Sequence, residues 1–156
     1  MDNLLKVLYL VSIVLSALVL GVFWGPWIAL SRSFATFKAD IFLEVVKRMN
    51  KNLEPVMTVL MPVTILSIIL VLFFSFNVRS ASFYLTLLGL VFFVISLIVT
   101  MIVEVPIVKQ IASWDISTIP NNWQELRDKW ISFHSIRILS GLLCFVLLLC
   151  SVIFLS

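Results

Sequence analysis

Charge is what this sequence has least of. Asp, Glu, Lys and Arg make up 12% of the chain and hydrophobic residues 62%. A soluble domain carries about 25% charged and about 45–50% apolar residues, so an ordinary water-soluble fold is excluded and an integral membrane protein remains. Histidine occurs once and cysteine twice. One histidine cannot supply the paired Glu-x-x-His ligands of a di-iron bundle, nor a zinc site of several histidines or cysteines; no metal site is expected. Cys144 and Cys150 stand six residues apart on one apolar stretch. That spacing puts them on different faces of a helix, unable to bond to each other within it. With no Cys-x-x-Cys, thiol–disulfide chemistry has no basis. A glycine-rich phosphate loop, a nucleophile elbow and a nucleic-acid motif are also missing. The net charge of +3 rests on few residues and reads as membrane topology rather than nucleic-acid binding.

What is present is four long apolar stretches in 156 residues. The expected fold is an all-α integral membrane protein, one domain over 1–156. Four transmembrane helices, at about 4–30, 55–77, 82–103 and 131–155, form an antiparallel bundle with amphipathic connectors at 31–54 and 104–130. Each stretch reaches the roughly 20 residues a span needs. The first carries Asp2 before Lys6 and lacks a small-residue cleavage site, so it reads as a span and not a signal peptide. Its Gly21 and Gly25 make a close-approach motif, and Trp24 and Trp27 suit interface anchors. Phe34, Phe37, Ile41, Val45 and Met49 or Leu53 recur at helical spacing, which predicts an amphipathic helix at the interface or an extension of a neighbouring span. Glu44 within it reads as solvated. Pro55 suits a helix start, and Pro62 predicts a kink. Arg79 marks a turn at 77–82 short enough to make helices two and three antiparallel neighbours. After the third span come Glu104 and Pro106, a helical turn or two as far as Trp114, and a loop at 115–121.

The segment from Asn122 to Gly141 organises the rest. Trp123, Arg127, Trp130, His134, Arg137 and Gly141 follow one another at steps of four and three, so they share one stripe of a helix. An ordinary stripe at this spacing would be aliphatic. This one is two indoles, two guanidinium groups, the sole histidine and a glycine. Asn122 with Glu125 predicts a capping box at the helix start. A polar face is costly to bury in lipid and is expected to line a bundle interior or cavity.

Four spans put both termini on one side. Arg32, Lys38, Lys47, Arg48, Lys51, Lys109 and Lys129 fall in the two long loops, against Lys6 and Arg79 opposite. The positive-inside rule then places the loops in the cytoplasm and the termini outside.

His134 is the natural acid–base candidate. Arg127 and Arg137 could stabilise an oxyanion, and Glu104 is expected to pair with one of them. Trp123, Trp130 and Trp114 could stack a flat lipophilic ligand. The alternative is structural: arginines holding loops and headgroups, tryptophans anchoring the interface. No cofactor is expected; haem with His134 as axial ligand is a minor option.

Val105-Pro106-Ile107, then Ile111, Trp114, Trp123, Arg127, Trp130, His134 and Arg137 together resemble the anthrone oxygenase-like membrane proteins. Gly21, Gly25 and Pro55-Val56-Met57 fit the first half of that family more loosely. Val108 departs from the family pattern, which often has asparagine there. The resemblance implies a four-helix membrane protein and, in the characterised branch, oxidation of an anthrone to an anthraquinone with dioxygen and no well-established cofactor. The leading expectation is a cofactor-independent oxidoreductase with His134, Arg137 and Arg127 as catalytic residues and Trp123, Trp130, Trp114 and Glu104 as substrate-binding residues. The rival is a non-catalytic lipid-, quinone- or haem-binding protein or accessory subunit. Expected partners are membrane lipids, a small lipophilic ligand and a second copy through Gly21 and Gly25, with no nucleic acid.

Overall fold

A computed structural model describes residues 3–77 and 80–154, without the side chains of Ser31 and Arg32. Arg79, the expected turn marker, and the Arg32 side chain therefore lie outside the described residues. The elements are helices α1 (Asn3–Phe34), α2 (Ala39–Ser75), α3 (Ala81–Val99), a π-helical turn (Thr100–Glu104), α4 (Val105–Ala112), a short 3-10 turn (Ile116–Thr118) and α5 (Trp123–Ile153). Among the described residues there is no strand. Four helical stretches are long and apolar enough to cross a membrane: α1, α2, α3 continued through α4, and α5. Their outward faces carry Leu10, Leu18, Val59, Leu66, Phe73 and Ile98. In a bilayer these contact acyl chains, so such exposure is no liability.

The expected division at Pro55 is absent. α2 is one helix of 37 residues with Pro55 and Pro62 inside it, about 55 Å at 1.5 Å per residue. The amphipathic stretch extends the second span and projects beyond the roughly 30 Å hydrocarbon layer. A proline inside a helix frees the carbonyl four residues back. For Pro55 that residue is Lys51, and both are exposed, so water or headgroups can satisfy the freed group. Glu44 is also exposed and pairs with Arg48. α5 starts at Trp123, but Asn122 makes no side-chain cap to the backbone; its amide donates instead to the Glu125 carboxylate, 3.2 Å away.

Two cores stack along the bundle. Val19, Phe23, Met61, Ile68, Phe93, Ile138, Cys144 and Leu148 fill the membrane half. Phe34, Phe42, Leu43, Val46, Ile107, Ile111, Trp114, Trp123 and Trp130 fill the loop half. The closest helix approaches use glycines other than those expected. A Cβ on Gly89 of α3 would meet the Cys144 carbonyl of α5 at 3.5 Å, and one on Gly141 would meet Phe23 of α1 at 3.6 Å. Among the described residues, a Cβ on Gly21 or Gly25 would meet nothing from another helix within 4 Å, so neither glycine packs against a described helix of the monomer. At the terminal end, the Tyr9 hydroxyl ties α1 to α3 through Ser82 at 2.7 Å and Thr86 at 2.9 Å.

Candidate functional site

The site lies where the two cores meet. The α5 stripe turns inward: Trp123, Trp130, His134 and Gly141 are buried and Arg127 and Arg137 half-buried. From the facing helix comes Glu104, last residue of the π-turn and 3% exposed. The Val105 N–H bonds to the Thr100 carbonyl, five residues back. Pro106 follows at once and has no N–H to offer. A π-turn holds one residue more than an α-turn and is found often at functional sites; here it ends with a carboxylate inside the bundle.

Arg137 Nη1 donates to Glu104 Oε2 at 2.8 Å, and Arg137 Nη2 lies 2.7 Å from His134 Nδ1. His134 Nδ1 is also 3.2 Å from Glu104 Oε1, and His134 Nε2 is 3.0 Å from the Phe23 carbonyl oxygen. A carbonyl only accepts, so Nε2 carries a proton. A guanidinium only donates, and it is the nearer partner of Nδ1, so Nδ1 accepts. The geometry therefore holds a neutral imidazole protonated on Nε2, beside an arginine–glutamate pair whose charges offset each other. Phe23 belongs to α1, three residues before Pro26. Pro26 already deprives the Val22 carbonyl of its helical donor, and the next carbonyl accepts from outside the helix. The Arg137 guanidinium also stands 4.2 Å above the Phe23 ring, a cation–π contact that strengthens where water is excluded.

This trio borders a cavity of about 460 Å³, within the range of sites for drug-sized molecules. Its wall is mainly apolar. Met49, Leu53, Met57 and Met61 come from α2, Val22 and Phe23 from α1, and Leu97, Met101, Val105 and Val108 from the third span and α4. Trp130, His134, Arg137 and Glu104 form its polar end, and Asn50, Glu54 and Lys109 lie at the loop side. Two buried donors in the wall residues have no partner, Trp130 Nε1 and Arg137 Nε. Among the described residues no three His, Cys, Asp or Glu side chains converge as a metal site would require. Both ring nitrogens of His134 are engaged by protein groups, so an axial haem iron would have to displace one of those bonds.

The expected site residues divide in two. Glu104, Trp130, His134 and Arg137 meet at the cavity. Trp114, Trp123 and Arg127 do not border it. Trp123 packs against Phe42 at 5.1 Å between ring centroids, and the Trp114 carbonyl accepts from Lys47. The Glu104 partner is Arg137 and not Arg127. Arg127 caps the Trp123 ring at 5.1 Å, donates to the Phe34 carbonyl at 3.3 Å and pairs with Asp128. Sequence reasoning missed Phe23, whose backbone oxygen leaves no trace in residue identity. It placed Met49 or Leu53 on the apolar face of the connector but did not follow that face past Pro55, where Met57 and Met61 continue it every four residues and contribute to the same wall.

A membrane-spanning helical bundle that encloses a carboxylate, a guanidinium and an imidazole beside an apolar cavity defines the class of this protein. Residues 53–147, more than half of the chain, match the family model described as anthrone oxygenase, and the chain belongs to that family. The matched segment contains Glu104, Trp130, His134, Arg137 and most of the α2 wall, but not Phe23 or Pro26. No curated protein and no solved structure matches the chain.

Proposed function

We propose that this protein is a membrane oxidoreductase that uses dioxygen to oxidise a flat, lipophilic, phenolic or acidic-CH substrate held in the cavity. The observation that carries this reading is the placement of the Glu104–Arg137–His134 trio at one end of a mainly apolar cavity large enough for a fused-ring molecule. Trp130, with Met49, Met57 and Met61 in the wall, can pack against a ring face. A CH₂ group flanked by aromatic rings loses a proton to give a carbanion whose charge spreads onto a ring oxygen. That electron-rich anion reduces dioxygen, and the balance is one CH₂ and one O₂ giving one C=O and one H₂O. With Nε2 of His134 held by Phe23, the proton goes to Nδ1. Arg137 must leave Nδ1 before that proton arrives, and its guanidinium is then free to turn to the oxygen that takes up the negative charge. A general base supplies about 10²–10⁴-fold of rate; the water-poor pocket must provide the rest. Trp114, Trp123 and Arg127 hold the aromatic cap above the site. The basic long loops face the cytoplasm.

A second reading, non-catalytic binding of a quinone or lipid, is favoured by one observation: neither nitrogen of His134 is free in the resting site. One experiment separates the two. Protein in phosphatidylcholine nanodiscs is given anthrone, and oxygen uptake and anthraquinone absorbance are followed against protein-free discs. Oxidation above that background, lost in His134→Gln, supports the oxidoreductase. Binding of anthraquinone without any turnover leaves the second reading.

A further inference from the structure

The cavity wall contains Met49, Met57, Met61 and Met101, every methionine of the chain except the first residue. The wall residues also differ in exposure. Met61 is 3% exposed and forms the floor, whereas Met101 is 59% exposed. Thr58 and Pro62 are exposed on the α2 side of the same cavity, one turn apart on a shared edge. These three residues lie in helices long and apolar enough to cross a membrane. α2 meets α3 far less extensively than α5 does. Both helices carry a proline here: Pro62 can make no backbone bond to Thr58, and Pro106 none to Ile102. The loop side of the cavity, by contrast, is bordered by Asn50, Glu54 and Lys109, with Asn50 and Glu54 hydrogen-bonded to each other at 3.0 Å.

We propose that the cavity is entered sideways from the bilayer, through an opening between α2 and the π-turn edged by Thr58, Pro62 and Met101, and that the occupant is a planar aromatic molecule dissolved in the membrane. This rests on the ligand pocket of the preceding section but not on turnover. A lipophilic molecule is concentrated in the bilayer, and a lateral mouth spares it passage through a charged rim. Methionine suits such a gate, because its unbranched thioether side chain changes shape at little cost and packs favourably on aromatic rings. The methionines, together with Trp130 in the wall, favour a planar aromatic occupant over a bare acyl chain, since thioether and indole both pack well on ring faces.

The test uses the full chain in phosphatidylcholine nanodiscs, with anthraquinone quenching of tryptophan fluorescence as the readout. Met101→Cys and Asn50→Cys are each blocked with a benzyl methanethiosulfonate, which a reductant removes; treated wild type controls for Cys144 and Cys150. Blocking position 101 is expected to slow quenching roughly tenfold with little change in its end point, and reductant to restore the rate. Slowing at position 50 alone, or at neither position, overturns lateral entry while leaving the pocket intact. Absence of quenching in every variant overturns both this inference and the ligand pocket. Quenching by phosphatidylcholine with brominated acyl chains that anthraquinone does not displace would put a lipid tail in the cavity and overturn the proposed occupant.

Discussion

His134 on α5 donates its Nε2 proton to the main-chain carbonyl of Phe23 on α1, 3.0 Å away. The same side chain therefore fastens two helices and leaves Nδ1, engaged by Arg137, as the nitrogen that the proposed mechanism uses. Substitution can separate these roles. Glutamine places an amide N–H near the Nε2 position and keeps the tether; alanine and leucine remove it. His134→Leu is expected to destabilise the protein by about 1–3 kcal/mol, the penalty for an unmet buried acceptor, and His134→Gln by much less. Both lose oxidation. Thermal unfolding in detergent beside oxygen uptake distinguishes them; equal stability of the two variants would mean that the Phe23 bond contributes nothing.

Glu104 and Arg137 neutralise each other in a place that water barely reaches, with side chains 4% and 13% exposed. Removing one partner leaves a lone charge in the bundle. Glu104→Gln should cost about 3–5 kcal/mol, as breaking a buried pair typically does. The double variant Glu104→Gln/Arg137→Gln should be more stable than Glu104→Gln alone, because the stranded charge goes with it. A complete double-mutant cycle measures this coupling; additive effects would show that the two charges do not interact.

Much of this site could be read from the sequence because helical spacing converts directly into a shared face. Trp123, Arg127, Trp130, His134 and Arg137 do point inward together. Which of them border the cavity depends on neighbours distant in sequence: Phe34 and Phe42 fill the space beside Trp123 and Trp130 and close off the upper part of the stripe. Extension of the connector into a neighbouring span is one of two readings that the sequence leaves open, and Pro55 does not decide between them. Pro55 is as acceptable inside an exposed helical turn as at a helix start when its freed carbonyl can be solvated. The π-turn has no sequence signature of its own, and Glu104 reads as an edge residue until the extra residue in that turn is seen.

The glycines give a test of packing. Beside Gly141 a new Cβ would make ordinary contacts with Phe23 and Leu20 at 3.6 and 3.7 Å, so Gly141→Ala should be tolerated and gain some helix propensity, up to about 1 kcal/mol. Gly141→Leu would press into α1 and should cost about 1–3 kcal/mol by overpacking. It should also disturb the Phe23 carbonyl and lower oxidation. Gly21→Leu, with open space around it, should leave monomer stability unchanged. A loss of stability in Gly21→Leu that depends on protein concentration would instead reveal a second copy packed on that face.

Val108 tests what the wall selects. It is half-buried, on α4, and lines the cavity. An apolar wall rejects a hydroxyl only weakly, whereas a wall that presents a hydrogen-bonding group rejects ligands unable to answer it. Val108→Asn should therefore weaken binding of unsubstituted anthraquinone and favour a dihydroxy-anthraquinone, shifting their affinity ratio by roughly tenfold. Fluorescence quenching by the two compounds in nanodiscs measures that ratio. An unchanged ratio, with the variant folded and both compounds still bound, would mean that the ligand never reaches this wall and lies wholly between Trp130 and the α2 methionines.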